Sequence, residues 1–305
     1  MSMKFTVFTA TYNRAHTLPR VYASLLAQTF HDFEWLIVDD GSVDSTREIV
    51  SDWIKSSRLS IRYFYQPNQH KKVAFNRAVR EARGELFLPF DSDDSCVPNA
   101  LERFWRHWQE IPSGSRKLFS AVTALACNES GEVIGSRFPT PPGVDWIDSN
   151  SNEIFYRYRV TGDKWGFHRT SVLKQHPFPE DVQGLVPEGI VWSSIARSYG
   201  TRFVNEVLLT VHAGNDRLTS GQEPGRDAGG LALWAREVIQ NDLQWLALRP
   251  IWFMKMAANY TRFSKHLKLR NEGHRVTGVL PRSLVAAAYP IGTLRYLVDR
   301  LRRLG

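Results

Sequence analysis

Cysteine is scarce in this sequence, and long apolar runs are missing from it. The 305 residues include two cysteines, Cys96 and Cys127, in separate segments. A disulfide framework or a zinc site needs more cysteines at closer spacing, so we expect a reduced intracellular protein without zinc. No stretch approaches the ~20 apolar residues of a membrane-spanning helix. The opening MSMKFTVFTATYNR is not expected to be a signal peptide, because its short apolar run leads directly into polar residues.

Glycine-rich phosphate-binding motifs are also missing. The sequence has neither a P-loop lysine motif nor the glycine fingerprint of dinucleotide-binding proteins. The acidic run DSDD at 91–94 lacks the glycine and the distal glutamate of an EF-hand calcium loop. The first apolar run ends in TATYNR, which is neither the aspartate motif of an aspartyl phosphatase nor the glycine-rich basic loop of a nucleotidyltransferase. These absences count against several classes of phosphate-handling protein.

The composition supports a large core, and the positive charge is concentrated at one end. Hydrophobic residues make up 43% of the chain and aromatic residues 12%, so a principal domain with an appendage is expected at this length. The net charge is +8, but residues 249–305 hold 12 Lys and Arg against two acids, Glu272 and Asp299. The remainder is therefore slightly acidic. This distribution argues against a nucleic-acid-binding core and favours a basic C-terminal face.

The first 110 residues alternate between strand-like and helical patterns. Strands are predicted in the runs that begin at Phe5, Glu34, Ile61 and Leu86. Helices are predicted after Thr17, after Asp44 or Ser45, and over 73–84, with Gly84 as a stop signal. Such alternation predicts parallel strands with helices on both faces. The polar clusters TYNR, DDGS and DSDD all follow strands and should therefore meet at one edge of the sheet.

Beyond residue 112 the pattern predicts a mixed half and then helices. Two hairpins are expected, at 117–138 and 156–170, followed by a helix in VPEGIVWSSIARSYG and a strand in TRFVNEVLLTVH. Residues 229–268 suggest two helices. We therefore predict a catalytic domain over 1–228, divided into 1–112 and 113–228, and a basic helical extension over 229–305.

The carboxylates of Asp91, Asp93 and Asp94 need a positive partner. Like charges at this spacing repel, and a hard divalent cation such as Mg²⁺ or Mn²⁺ takes oxygen ligands of this kind. The alternative is a solvated turn in which Asp94 or Ser95 caps the next helix.

The combination of motifs resembles a known enzyme family. TATYNRAHTLPRVYASLLAQTFHDFEWLIVDDGSVDST, followed by DSDD, is similar to the family 2 glycosyltransferases over roughly residues 3–215. The resemblance implies the A-type nucleotide-diphospho-sugar fold, which is an α/β, Rossmann-like and mostly parallel sheet flanked by helices, here with a mixed acceptor-side half. It also implies an inverting single displacement that uses Mn²⁺ or Mg²⁺ and a nucleotide-diphospho-sugar donor.

The resemblance implies roles for particular residues. The donor would contact the first loop, the acidic pair after the second strand and the start of the DXD-type motif: Ala10, Thr11, Tyr12, Asp39, Asp40, Asp91 and Ser92. Lys72 and Asn76 of the third helix, with the neighbouring Lys71, are expected to add contacts. Asp93 and Asp94 would lie nearest the pyrophosphate and its metal, with His212 as a further metal ligand. For Lys71, Lys72 and Asn76 the alternative is a solvated helix start, and for His212 an incidental histidine at a strand end.

The catalytic base follows from a helix register. In the family, an acidic pair precedes a helix of the form Leu-Trp-x-x-Leu-Ala, which here corresponds to VWSSIA at 191–196. The second acid then falls on Glu188, whereas the first has become Pro187. Glu180 and Asp181, a few residues upstream, stay open as alternatives, as does a purely helix-stabilising role for Glu188. Trp165 and Phe167 could stack on a sugar or pack in the core.

We therefore expect a metal-dependent glycosyltransferase that acts on a hydroxyl acceptor, a glycan or lipid-linked glycan, in surface polysaccharide biosynthesis. The alternatives are a nucleotidyltransferase and a non-catalytic nucleotide-sugar or glycan-binding protein. A cytoplasmic location at the inner face of the membrane is expected, without a nucleic-acid partner. The C-terminal segment puts Leu294, Leu297, Val298 and Leu301 on one helical face and Arg295, Arg300, Arg302 and Arg303 on others. The alternative is a helix packed on the body with its basic face in solvent.

Overall fold

A computed structural model describes residues 3–213, 223–267 and 275–302. The chain divides into two compact units. One comprises Met1–Pro177 and Ser193–Asn215, and the other Phe178–Trp192 and Asp216–Gly305. The predicted catalytic domain and extension, divided at residue 228, remain a prediction.

The first unit begins with the alternating α/β pattern that the sequence predicts. Its first four strands are β1 (Phe5–Thr11), β2 (Phe33–Asp39), β3 (Ser60–Tyr65) and β4 (Leu86–Pro89). The intervening and following helices are α1 (Leu18–Leu26), α2 (Thr46–Ser56), α3 (Lys71–Glu81) and α4 (Ala100–Glu110). Strand β1 pairs in parallel with β2 and β4, and β2 pairs in parallel with β3. The predicted fold class is confirmed.

The second half of the sheet is mixed, also as predicted. It contains β5 (Ser95–Cys96), β6 (Phe119–Cys127), β7 (Trp146–Ser149), β8 (Lys164–Arg169) and β9 (Gly200–Thr210). The helices in this part of the chain are α5 (Ser151–Tyr156), α6 (Thr170–Leu173) and α7 (Gly189–Ala196). The strand order is β3-β2-β1-β4-β8-β6-β9-β5, and β7 also pairs with β9. Strand β8 is antiparallel to β4 and β6, so it joins the parallel half to the mixed half.

Burial explains why these segments form a central sheet. All seven residues of β2 are buried, which is typical of a strand covered on both faces by helices. The buried Glu34 within it is compensated, because its carboxylate accepts hydrogen bonds from the Thr6 hydroxyl and the Arg62 guanidinium. Aromatic side chains including Phe5, Phe104 and Phe167 meet edge-to-face in the core.

Several predicted helix signals work differently from the expectation. Helix α3 ends at Glu81, so Gly84 is not its stop; a Cβ at Gly84 would lie 2.3 Å from the backbone nitrogen of Thr6. The glycine therefore permits close approach of the backbone to β1. Neither Asp94 nor Ser95 caps α4, whose N-cap is Asn99.

Neither predicted hairpin forms as a regular pair of strands. Residues 156–170 contain the end of α5, a loop and β8, because Asn150 caps a helix by accepting a hydrogen bond from the Glu153 amide. In 117–138 the turn around Gly131 is present, but the return is limited to an isolated bridge between Cys127 and Val133.

The second unit is helical in its C-terminal part. It contains α8 (Ala228–Asn241), α9 (Pro250–His266) and α10 (Val279–Leu301), and α9 packs against both others. The two helices predicted for 229–268 are therefore present. Within the described ranges, every helix is too short or too polar to cross a membrane.

Candidate functional site

The three polar clusters meet at the carboxyl edge of the parallel strands, as the sequence predicts. The backbone amide of Asp40, after β2, donates to the carbonyl of Thr11 at the end of β1 over 2.8 Å. The amide of Phe90, after β4, donates to the carbonyl of Phe8. The clusters that follow β2 and β4 therefore both begin beside the end of β1.

Hydrogen bonds then join the first two loops. The amide of Asn13 donates to the Ser42 hydroxyl over 2.8 Å, and the Asn13 side-chain oxygen accepts from the amide of Val43 over 2.8 Å. The Asp44 carboxylate accepts from the amide of Ala15. Asn13 has a φ of 54°, a conformation that asparagine tolerates better than most residues. The loops after β1 and β2 thus form one connected surface.

The two aspartates after β2 are both buried and both hydrogen-bonded. Asp39 accepts from the amide of Ser42 over 2.7 Å and from the hydroxyl of Tyr63 over 2.5 Å. Burial and the Asp39 carboxylate raise the pKa of that phenol. Asp40 Oδ1 accepts from the Gln66 amide group over 2.8 Å and the Gln69 backbone over 3.0 Å. Asp39 therefore shapes its own loop, and Asp40 fixes the segment that leads into α3.

The DSDD loop is surrounded by cations. Lys71 at the start of α3 lies with its Nζ 2.9 Å from Asp91 Oδ1. Arg14 Nη1 lies 3.5 Å from Asp93 Oδ2, and the Arg20 guanidinium donates to the Asp93 carbonyl. Cations from α3, from α1 and from the loop before α1 thus approach this acidic turn, which argues against a merely solvated loop.

Asp91 and Asp94 are in opposite electrostatic environments. The Lys71 ammonium lowers the pKa of Asp91. Burial, with the negative charges of Asp91 and Asp93, raises the pKa of Asp94 to about 7. An additional cation at this loop would lower the pKa of Asp94 again, because it would offset the effect of burial and the charges of the neighbouring aspartates.

This donor set fits a divalent cation that is shared with a phosphate-containing ligand. In the ranges that the structure describes, no three Asp, Glu, His or Cys side chains converge to hold an ion by themselves. Mg²⁺-type ions in nucleotide sites commonly use one or two carboxylates and complete their coordination with water and substrate phosphates. Asp93 and Asp94 could supply those carboxylates.

His212 lies beside this loop, but both of its ring nitrogens have partners. Its backbone amide donates to Asp94 Oδ1 over 3.2 Å. Its Nε2 is 2.8 Å from the Ser95 hydroxyl, and its Nδ1 is 2.7 Å from Glu129 Oε1. The sequence prediction of a histidine near the acidic loop thus agrees with its position, whereas its role as a metal ligand remains a prediction.

The other proposed donor-binding residues line the same edge. Tyr12 is 45% exposed after β1, and the neighbouring Thr11 has a buried hydroxyl without a hydrogen-bond partner among the described residues. Lys72 and Asn76 are buried one turn apart on α3. Ala10 is half-buried in β1 and Ser92 is buried within the DSDD loop. Their contacts with a donor remain predictions.

Trp165 and Phe167 belong to the core rather than to a sugar-binding wall. Phe167 is fully buried, and Trp165 is buried with its indole nitrogen donating to the Pro89 carbonyl over 2.6 Å. The Trp165 ring packs at 5.2 Å from the Phe104 ring. Of the two interpretations left open by the sequence, core packing is the one that the structure supports.

Glu188 belongs to the second compact unit. It directly precedes α7, and its Oε2 accepts a hydrogen bond of 3.4 Å from the indole of Trp192. Asp181 is exposed further upstream. The predicted helix register is therefore present, and the assignment of the base remains a prediction.

Sequence reasoning missed three side chains of the site. Arg14 stands within the TYNR cluster, so its position after β1 was a usable signal. Arg20 and Glu129 carry no such signal, because one is a surface position of a helix and the other belongs to a turn between distant segments.

Comparisons with known proteins agree with this geometry. The family model described as glycosyl transferase family 2 matches residues 6–123. An uncharacterized glycosyltransferase of Nostoc sp. is 39% identical over 246 residues, which cover 74% of this chain and 72% of that protein. The chain belongs to glycosyltransferase family 2. It is therefore a transferase enzyme, and this family membership agrees with the resemblance seen in its motifs.

A second relative and two solved structures extend the comparison. The GalNAc(5)-diNAcBac-PP-undecaprenol beta-1,3-glucosyltransferase of Campylobacter jejuni is 23% identical, with 87% of this chain and 85% of that protein covered. S. aureus TarS 1-349 in complex with UDP-GlcNAc superposes with a TM-score of 0.62 at 20% identity, covering 94% of this chain and 79% of that chain. The mannosyltransferase PcManGT of Pyrobaculum calidifontis, in complex with GDP-Man and Mn²⁺, superposes with a TM-score of 0.51 at 17% identity. The match covers 98% of this chain and 85% of that chain. At these identities the two structures support the fold.

Proposed function

We propose that this family 2 glycosyltransferase moves a sugar from a nucleotide-diphospho-sugar to a hydroxyl acceptor, with a divalent cation and inversion at the anomeric carbon. The observation that carries the proposal is the meeting of Asp40, the DSDD loop and His212 at the carboxyl edge of the parallel strands. A carboxylate-lined edge of this kind repels a free diphosphate, so donor binding there requires a cation.

The residues of this edge would divide the work of holding the donor. Tyr12 and Asp40 lie on the connected loops after β1 and β2, where a nucleotide base and ribose would bind. Lys71 and Arg14 approach the acidic loop from two sides and would limit its repulsion of the phosphates. When bound between Asp93, Asp94 and the diphosphate, Mn²⁺ or Mg²⁺ would stabilise the leaving group as a Lewis acid.

Inversion requires a base on the acceptor side. The acceptor oxygen would form a bond to the anomeric carbon while the bond from that carbon to the diphosphate oxygen breaks, and the hydroxyl proton would pass to the base. We assign this role to Glu188. Its support is the family register at α7 and its position immediately before a helix.

The acceptor is proposed to be a glycan or lipid-linked glycan in surface polysaccharide biosynthesis. This part is supported by the Campylobacter relative, a glucosyltransferase that acts on an undecaprenol-linked glycan. Such an acceptor is presented at a membrane, so we also propose that the enzyme works at the cytoplasmic face.

Donor binding by calorimetry tests the proposal. UDP-, GDP- and dTDP-sugars would be titrated into the protein with and without Mn²⁺, and one of them should bind in a Mn²⁺-dependent way. Asp93→Asn should keep the fold and lose that dependence, because one of two carboxylates facing the cation is removed.

Asp163→Asn is the matched control, since Asp163 is an exposed aspartate of the same unit. It should bind donor as the parent does. Equal affinity for all three proteins with and without Mn²⁺ would contradict the metal assignment. Mn²⁺-dependent donor binding without transfer to any acceptor or water would favour a binding protein over an enzyme.

A further inference from the structure

Helix α10 contacts its neighbour through a narrow face of small residues. Its buried positions are Pro281, Ala288, Gly292 and Asp299. A Cβ at Gly292 would lie 2.5 Å from the carbonyl oxygen of Ala258 on α9, so the two helix backbones are in close contact there. The most exposed apolar side chains of α10 lie outside this buried face.

Charged contacts fix the rotation of α10 about its axis. The Asp299 carboxylate accepts two hydrogen bonds from the Arg262 guanidinium, at 2.6 and 2.5 Å, and lies 2.9 Å from His266 Nε2. Arg295 donates to the side-chain oxygen of Asn259 over 3.2 Å. With the buried face held against α9 in this way, the opposite side of the helix is directed to solvent.

That solvent side carries an apolar stripe, which is densest from Ile291 to Leu301. The leucine stripe, as we name it, consists of large residues that are 39–68% exposed: Leu280, Ile291, Leu294, Leu297, Val298 and Leu301. The spacings of three, four and three residues from Ile291 through Leu294 and Val298 to Leu301 keep these side chains on one face. A single exposed leucine needs no explanation, but an aligned set on one helix does.

Arginines border the leucine stripe on both sides. Helical spacing places Arg295 and Arg302 on one border and Arg282 and Arg300 on the other. All four residues are exposed. The one acid of α10, Asp299, is already paired with Arg262, so the border is uniformly positive.

We propose that the leucine stripe and its arginine borders form a docking surface for an anionic lipid bilayer. A helix of this kind lies in the plane of the interface, with the apolar side chains among the acyl chains and the arginines at the headgroups. A second copy of the chain fits less well, because two-fold pairing of this face would bring the arginine borders of two copies together. The docking surface would bring the enzyme to a lipid-linked acceptor. Its purpose therefore rests on the proposed function.

Vesicle flotation with the full chain tests the surface. The parent should float with phosphatidylcholine vesicles that contain phosphatidylglycerol, and much less with phosphatidylcholine alone. The double variant Leu294→Gln/Leu301→Gln should lose at least about tenfold in partitioning, because the apolar contribution of two largely exposed leucines is removed while helix propensity is kept. Arg300→Gln/Arg302→Gln should lose about fivefold per charge on anionic vesicles and little on neutral ones.

Two controls keep the test specific. Leu118→Gln removes a leucine that is 59% exposed on the first unit, and Lys117→Gln/Lys174→Gln removes two exposed charges there. Both controls should float as the parent does, and thermal unfolding should be unchanged in all variants. Flotation of the Leu294/Leu301 variant at the parent level would overturn the proposal. So would a parent that ignores anionic vesicles but forms a dimer that this variant abolishes. Flotation needs neither donor nor acceptor, so its failure is distinct from a failure of sugar transfer.

Discussion

At the scale of single residues, His212 shows how the partners of an imidazole determine which of its two ring nitrogens carries the proton. Glu129 at neutral pH offers only acceptor oxygens, so the ring nitrogen Nδ1 that faces it must carry the proton. In the neutral imidazole, Nε2 is then the unprotonated nitrogen, directed at Ser95 and next to the Asp94 loop. Glu129 is in this sense a positioning residue.

We expect Glu129→Gln to weaken this arrangement, because the glutamine amide can donate to an unprotonated Nδ1 as well as accept from a protonated one, and so permits both tautomers. If His212 is a metal ligand, Mn²⁺ affinity in the presence of donor should fall by about 10–100-fold, as for other outer-sphere partners. The tautomer itself is measurable from the ring-nitrogen shifts of His212 by NMR. Glu132→Gln, a change to the neighbouring acid in the same turn, should leave both quantities unaltered. A Glu129→Gln protein with parental tautomer and affinity would exclude the positioning role.

The second prediction at this scale concerns the base. Glu188→Gln should lower turnover by about 10²–10⁴, the usual cost of losing a general base, while donor affinity stays near that of the parent. Measuring transfer rates beside donor calorimetry separates the two effects. Asp181→Asn is the informative companion: normal transfer by Glu188→Gln together with a large loss in Asp181→Asn would move the base to Asp181 and reject the register.

At the scale of secondary structure, Gly84 joins β4 to β1. Its amide donates to the Thr6 hydroxyl over 2.8 Å and its carbonyl accepts from the Thr170 hydroxyl. Gly84→Ala would force a Cβ into the backbone of Phe5 and Thr6, so we expect a loss of roughly 2 kcal/mol or more in the free energy of unfolding. Urea unfolding measures it. Gly114→Ala is the matched control, since a Cβ added there would meet nothing within 4 Å and its φ is not in the left-handed region. Equal stability of the two variants would show that β4 can shift without cost.

The same scale shows where sequence reasoning succeeds. Buried runs such as that of β2, separated by amphipathic helices, predict the parallel half and therefore the edge at which Asp40 and the DSDD loop meet. The inference needs only the alternation of elements and the rule that parallel strands end together.

Prediction from the sequence fails where short polar signals compete with apolar patterns. Asn150 and Glu153 form a capping pair that starts α5, and this local signal outweighs the alternating residues that follow. The contacts of His212 with Ser95 and Glu129 could not be predicted, because they join residues separated by 117 and 83 positions. Likewise, the sequence correctly predicted that the apolar residues of the C-terminal segment share one helical face. The pattern could not show that this face is exposed and that α10 packs against α9 through its small residues. Arg303, one of its predicted basic residues, lies outside the described range.

At the scale of the whole molecule, charge pairs inside the first unit affect its resistance to acid. The Glu206 carboxylate on β9 accepts a hydrogen bond of 2.6 Å from Nε of Arg103 on α4. It also lies 2.7 Å from Nε2 of His107 on the same helix. Although burial opposes it, these partners lower the pKa of Glu206 to about 2 from its ordinary value of 4.5. The Glu206 carboxyl therefore binds a proton more weakly in the folded state than in the unfolded chain.

The direction of the pH effect follows from this depressed pKa. Stabilisation by Glu206 should be complete above about pH 4.5 and should be lost as the pH falls toward about 2, with a full value of roughly 2–3 kcal/mol. Glu206→Gln should thus unfold more easily at pH 7, and the difference from the parent should shrink in acid. Urea midpoints measured from pH 7 down to pH 3 test this, with the exposed Glu48→Gln as a control that should track the parent. A constant difference at every pH would mean that the variant acts through lost packing rather than through the loss of a titrating carboxylate at position 206.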